Sequence, residues 1–236
     1  MNISYGLILL FSTITGGALA YYLQKEQQKG LKLLLSFSGA YLLSACILHF
    51  LPIVMKEGKS FFGLMILCGF FLQILLEFIS GGVEHGHIHS KYSHISAMPW
   101  AVFISLSLHS MLEVMPIVHH EHLRSYSLFI GLTLHKLPVA AALMTLLLES
   151  GLNKRIAFTM IFLFGLIPFS GMAVSILIQY MAIDMQFYFN SILSLVIGIL
   201  LHVSTTILFE HTEGHGFNFM KLAVIIAAVM LSWFFI

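Results

Sequence analysis

Long apolar segments separated by short polar connections make up almost the whole chain. We place eight such segments at 3–23, 32–54, 60–80, 98–118, 126–148, 156–180, 187–209 and 219–236. Their lengths are close to the roughly 20 residues that an α-helix needs to cross about 30 Å of hydrocarbon. The pattern therefore predicts an all-α polytopic membrane protein with eight transmembrane helices.

Composition supports this prediction and excludes a separate soluble domain. Of the 236 residues, 59% are hydrophobic and 9% are charged, whereas soluble domains average about 25% charged residues. No connection is long enough to form a core of its own, so 1–236 is interpreted as a single transmembrane domain in a lipid bilayer. The formal net charge of +1 gives no basis for a nucleic-acid partner. Cys46 and Cys68 fall inside apolar segments, which favours packing residues over a disulfide.

The lysines and arginines between the segments predict the orientation, because cytoplasmic connections collect positive residues. One side of the membrane carries Lys56, Lys59 and Arg124. The other side carries Lys25, Lys29, Lys32, Lys91, Lys154, Arg155 and Lys221. The second side is predicted to be cytoplasmic, which places both termini outside the cell membrane. The first segment has no basic residue before it, so we interpret it as a retained helix and not a cleaved signal.

Two histidines, a glutamate and a lysine interrupt the fourth and fifth segments, where a charged side chain costs about 2.5–3.5 kcal/mol. His109 and Glu113 are four residues apart and share one helical face, while His135 and Lys136 precede Pro138. Because the two segments are antiparallel neighbours, both histidines are expected at the same depth, near the midplane. Two imidazoles and a carboxylate are suitable ligands for Zn²⁺, and a proline that loosens the helix is typical of midplane transport sites. The alternative is that each residue only hydrogen-bonds a neighbouring helix.

Other histidines are candidates for binding a metal ion on its way in or out. The connection 81–97, predicted to be cytoplasmic, has an H-x-H-x-H core, and such tracts bind metal ions loosely. The candidates in the connections are His85, His87, His89, His94, His119, His120 and His122. His202, with Gln73 and Glu77 of the third segment, is a candidate for lining the exit. The alternative is that the connection 81–97 is only a polar linker, and that the connection holding His119, His120 and His122 is only a polar turn.

At these residues the chain resembles the ZIP (Zrt/Irt-like) family of divalent metal transporters. That family carries H-N-x-P-E-G in span four and H-E-x-P-H-E or a variant in span five, where this chain has HSMLEV from His109 and HKLPVA from His135. The stretch HFLP from His49 is similar to the family's H-L-L-P, and LIPFSG stands in span six where many members show E-P-L-G. Glu210, twelve residues after Gly198, resembles the family's glycine-to-P-E spacing. The family has eight spans in a bundle, both termini outside, and a His-rich cytoplasmic connection after span three.

The resemblance implies that His109, Glu113 and His135 are metal ligands. At four other ligand positions of the family's two-metal centre this chain has Ser110, Lys136, Val139 and Ile167. We therefore expect a single-metal site in which the Lys136 ammonium stands where a second cation would sit and is a counter-charge to Glu113. The alternative is that Lys136 points away and extends toward the membrane surface. His49 and Glu210 join the candidates for metal passage on the same grounds.

The resemblance also implies alternating access, with the metal entering from outside and leaving to the cytoplasm. Zn²⁺ is the first candidate as the transported substrate, and Fe²⁺, Mn²⁺ and Cd²⁺ stay open because geometry and availability set selectivity. A homodimer is an expectation at the level of the family. No enzyme activity is expected, because the chain has no H-E-x-x-H motif and no general base besides Glu113. The alternatives are a transport-inactive metal sensor or scaffold and, less favoured, an intramembrane zinc hydrolase.

Overall fold

The computed structural model contains helices at all eight apolar segments, and the residues that it describes include no β-strand. The described residues are 3–23, 28–81, 98–118, 125–181, 184–210 and 219–235. The helices are α1 Ile3–Tyr22, α2 Gln28–Ala45, α3 Leu51–Met55, α4 Ser60–Ser80, α5 Met98–Glu113, α6 Ser125–Glu149, α7 Lys154–Met181, α8 Met185–Glu210 and α9 Phe219–Phe234. A π-helical turn, Cys46–Phe50, joins α2 to α3, so these three elements form one span. The predicted all-α fold is confirmed.

Seven spans within the described residues are long and apolar enough to cross a membrane, which confirms a multi-pass membrane protein. The eighth predicted segment contains α9, which is apolar but has only 16 residues. At 1.5 Å per residue α9 is about 24 Å long, somewhat less than the hydrocarbon thickness. The histidine-rich connection lies outside the described residues, apart from Gly81 at its start.

Prolines shape the two helices that carry the predicted ligands. α5 ends at Glu113, and a 3₁₀ turn, Met115–Val118, follows around Pro116. The Ser175 hydroxyl of α7 donates to the carbonyl oxygen of Met115 at 2.8 Å, which satisfies an acceptor left open where the helix ends. Pro138 lies inside α6, where it removes one backbone hydrogen bond. Both helices are thus irregular within one turn of a predicted ligand.

We group the described helices into two sets that share a wide border. α1, α5, α6 and α7 are named the first helix set, and α2, α3, α4, α8 and α9 the second; α5 packs on α4 as extensively as on α7, and α2 packs on α6 as well as on α8 and α9. The largest contacts between the sets are those of α2 with α6 and of α4 with α5. Inside the second set, a Cβ added at Gly69 would meet the carbonyl oxygen of Leu195, and one at Gly198 would meet that of Ile66. α4 and α8 therefore touch main chain to main chain.

Two buried apolar clusters flank the polar residues along α5 and α6. The Val114 cluster includes Val114, Leu128 and Leu132, together with residues of α1, α2 and α8. The Leu143 cluster includes Leu106, Val139, Leu143 and Phe164 between α5, α6 and α7. On both α5 and α6, the predicted ligands lie between the residues of one cluster and those of the other. The polar centre is therefore enclosed by apolar packing along the direction of the helices.

Candidate metal centre

α5 and α6 bring His109, Glu113 and His135 together. One ligand atom from each residue lies within 4.8 Å of the others, and the three residues are 1%, 0% and 1% exposed. His109 Nε2 is 3.2 Å from Glu113 Oε2, as expected for residues four apart on a helix. The two imidazole centroids are 6.2 Å apart. Because Zn²⁺ binds such atoms at about 2.0–2.2 Å, ligand atoms as far as 4.8 Å apart would have to approach one another for all three to share one ion.

The Lys136 ammonium lies inside this centre. It forms an ion pair with Glu113 Oε1 and donates to the Ser110 hydroxyl at 2.7 Å. Lys136 Nζ also lies over the Phe164 ring, 5.2 Å from its centroid, a distance at which a cation–π interaction is favourable. Lys136 is 1% exposed, so it does not extend to the membrane surface.

Charge in the centre is balanced without a metal ion. Glu113 supplies one negative charge and Lys136 one positive charge, and neither side chain has appreciable contact with solvent. A buried carboxylate without a partner would be strongly destabilising. A single divalent ion would share Glu113 with the ammonium, whereas a second ion beside Lys136 would be repelled. Glu113 therefore has room for at most one divalent ion, which would have to compete with the ammonium for the carboxylate.

The remaining positions of the resemblance carry no metal ligand. Val139 is buried within the Leu143 cluster, and Ile167 packs against the same cluster. The Ser110 hydroxyl accepts the hydrogen bond from Lys136. None of the three side chains adds a fourth ligand to the group of His109, Glu113 and His135.

A fourth polar side chain reaches the centre from α4, in the second helix set. Gln73 is fully buried, and its Oε1 atom is 2.9 Å from His109 Nδ1. This contact turns the ring so that Nε2 faces Glu113 Oε2 at 3.2 Å, where a shared ion would meet it. The sequence indicated Gln73 only as a candidate for the exit. Its polar side chain in an apolar segment was the one signal that marked it.

Two other candidate histidines lie in separate interactions. His202 Nδ1 is 3.3 Å from Glu77 Oε2, and both side chains are partly exposed. His49 Nε2 donates to the carbonyl oxygen of Ser232 at 3.3 Å, which links the π-helical turn to α9. In the part of the chain that the structure describes, neither histidine belongs to the group formed by His109, Glu113 and His135.

The other candidates for metal passage lie outside the described residues. They are His85, His87, His89, His94, His119, His120 and His122. Glu210 is the last residue of α8, and its side chain also falls outside the described part of the chain.

No family model matches the chain, and a search of curated proteins finds no match either. A function for the chain must accordingly be inferred from the side chains in its membrane-embedded centre.

Proposed function

We propose that the chain transports a divalent metal ion, with Zn²⁺ as the first candidate, across the cell membrane into the cytoplasm. The observation that carries the proposal is the buried group of His109, Glu113 and His135 between two spans. Three protein ligands leave a coordination position for water, and such open sites exchange ligands more readily than closed four-ligand sites. Intramembrane ionisable residues of this kind mark ion pathways in membrane proteins.

Lys136 suits a carrier that must also exist without its substrate. When no metal is bound, the ammonium neutralises Glu113, and the empty centre does not hold an unpaired charge in a medium of low dielectric constant. When a metal ion binds, it competes with the ammonium for the same carboxylate. The Ser110 hydroxyl and the Phe164 ring offer the ammonium other partners.

Alternating access in this proposal is a relative movement of the two helix sets. The ligands lie on α5 and α6 of the first set, which contacts the second set through α2 and α4. Because the Val114 and Leu143 clusters close the two ends of the centre, release requires one cluster to open while the other stays packed. Sliding of one set against the other would open the Val114 cluster, which joins α1 and α6 to α2 and α8. The Leu143 cluster lies between α5, α6 and α7 of the first set, so it would open only if these helices separate from one another.

The experiment is uptake of radioactive Zn²⁺ into proteoliposomes that contain the purified protein. Wild type is compared with His109→Ala/His135→Ala and with Ser194→Ala, which removes a buried polar side chain outside the three-ligand group. Saturable uptake by wild type and Ser194→Ala that is lost in the double variant is the expected result.

Two other results would change the proposal in different ways. Zn²⁺ binding by wild type without uptake above that of empty liposomes would replace the transporter with a metal sensor. Neither binding nor uptake by folded wild type would overturn the metal site itself.

A further inference from the structure

Gln73 connects the metal-binding group of one helix set to a helix of the other. Its amide lies on α4, its partner His109 lies on α5, and the 2.9 Å hydrogen bond between them is fully buried. A second α4–α5 hydrogen bond, from the Ser105 hydroxyl to the carbonyl oxygen of Leu76, lies one helical turn before His109. The first hydrogen bond involves a proposed metal ligand, whereas the second involves none of the three proposed ligands.

The nitrogen of a metal-binding imidazole that does not bind the metal usually donates its proton to an oxygen atom. This partner orients the ring, fixes the tautomer and raises the basicity of the other nitrogen, and its loss typically weakens metal binding 10–100-fold. Gln73 Oε1 occupies that position toward His109 Nδ1. The ring is thereby held with Nε2 directed at Glu113.

We propose that Gln73 is a positioning residue that holds the His109 ring with Nε2 toward Glu113 and makes strong metal binding depend on the alignment of α4 with α5. The inference rests on the proposed function. Hydrogen bonds of this type weaken steeply once the two heavy atoms are more than about 3.5 Å apart. A relative movement of the helix sets by roughly 1 Å along this bond would therefore lower the affinity for the ion and favour its release.

The test is a Co²⁺ titration of detergent-solubilised protein, followed by the absorption of the bound ion. Gln73→Leu keeps a similar volume without an acceptor and is expected to weaken Co²⁺ binding 10–100-fold. Gln73→Glu keeps an acceptor and is expected to bind at least as tightly as wild type. In proteoliposomes, Gln73→Leu should raise the half-saturating concentration of Zn²⁺ and leave the maximal rate at or above that of wild type.

A spectroscopic readout distinguishes positioning from a general loss of packing. In Zn²⁺-bound protein labelled with ¹⁵N histidine, the His109 resonances should report a protonated Nδ1 and a metal-bound Nε2 in wild type, and a mixture of the two arrangements in Gln73→Leu. Ser105→Ala is the matched control, because it removes the other α4–α5 hydrogen bond and should leave both affinity and tautomer unchanged. If Gln73→Leu does not fold, Gln73→Asn, which withdraws the acceptor by one methylene, replaces it.

The possible failures can be told apart. Wild-type affinity in Gln73→Leu, or an equal loss in Ser105→Ala, would overturn this inference and leave the metal site intact. A wild-type protein that binds neither Co²⁺ nor Zn²⁺ would overturn the proposed function and this inference together.

Discussion

Lys136 on α6 and Glu113 at the end of α5 form a buried ion pair across two adjacent spans. The exposed fractions of the two residues are 1% and 0%, so water cannot replace either partner. Removing one partner of such a pair typically costs about 3–5 kcal/mol, since the other charge stays buried. The pair therefore determines what happens when either residue is changed or when a metal ion binds Glu113.

Lys136→Met should destabilise the metal-free protein and increase the stabilisation that Zn²⁺ provides. The variant leaves Glu113 without its ammonium partner, and a bound ion would restore the missing positive charge. Thermal unfolding in detergent, with and without Zn²⁺, measures both effects. Lys59→Met is the control, because Lys59 is 52% exposed and 3.8 Å from Glu57, where an ion pair contributes about 0–1 kcal/mol. An identical Zn²⁺ shift in wild type and Lys136→Met would show that the ion does not compete with Lys136.

Glu113→Gln/Lys136→Met should be less destabilised than the sum of the two single variants. Each single change leaves one buried charge without its counter-charge, whereas the double variant leaves none, so the coupling should be about 0.5–3 kcal/mol. Thermal unfolding of the four proteins gives the coupling. Co²⁺ binding should be lost in the double variant because a ligand is gone. Strict additivity would mean that the two side chains act independently.

Val139→His should strengthen metal binding and slow uptake. Position 139 lies one helical turn after His135, so an imidazole there would share its face of α6. A fourth protein ligand converts an open site to a closed one, from which the ion dissociates more slowly. Competition with a coloured chelator gives the affinity, and the proteoliposome assay gives the rate. Val139→Leu controls for the larger volume in the Leu143 cluster, and an unchanged affinity in folded Val139→His would place position 139 out of reach of the ion.

Gly69→Ala should destabilise the protein, whereas Gly63→Ala on the same helix should not. A Cβ at Gly69 would collide with the carbonyl oxygen of Leu195, but one at Gly63 has no atom within 4 Å. Forcing α4 and α8 apart is expected to cost about 1–3 kcal/mol. At Gly63, the higher helix propensity of alanine should make the change neutral or stabilising by up to about 1 kcal/mol. Thermal unfolding of both variants is the measurement, and equal midpoints would contradict the close contact of α4 with α8.

Segment lengths, spacing and depth carried most of what could be predicted. Hydrophobic runs predicted the helices, because only a helix satisfies its own backbone over such lengths in lipid. A spacing of four put His109 and Glu113 on one face, and the short connection between two spans put His135 at a similar depth. The structure brings these three side chains together.

Contacts between helices distant in sequence could not be read from those patterns. Gln73 precedes His109 by 36 residues, and nothing in either segment indicates which face of α4 meets α5. The π-helical turn Cys46–Phe50 has no periodic signal either, since it adds one residue to a turn within an apolar run. The last segment, read as a span from 219 to 236, contains a helix that begins at the predicted residue and ends at Phe234, because a run of apolar residues does not show where a helix ends.

The close approach of α4 and α8 also fixes the position of α4 beside the group formed by His109, Glu113 and His135. Gly69 lies one helical turn before Gln73. Because the contacts at Gly69 and Gly198 are made by main-chain atoms, no change of side-chain rotamer can accommodate a displacement of α4 relative to α8. α4 is the least buried of the seven long spans, so lipid on its other side would not hold it in register. The absence of side chains at Gly69 and Gly198 thus determines, through the Gln73 amide, the direction in which the His109 imidazole on α5 points.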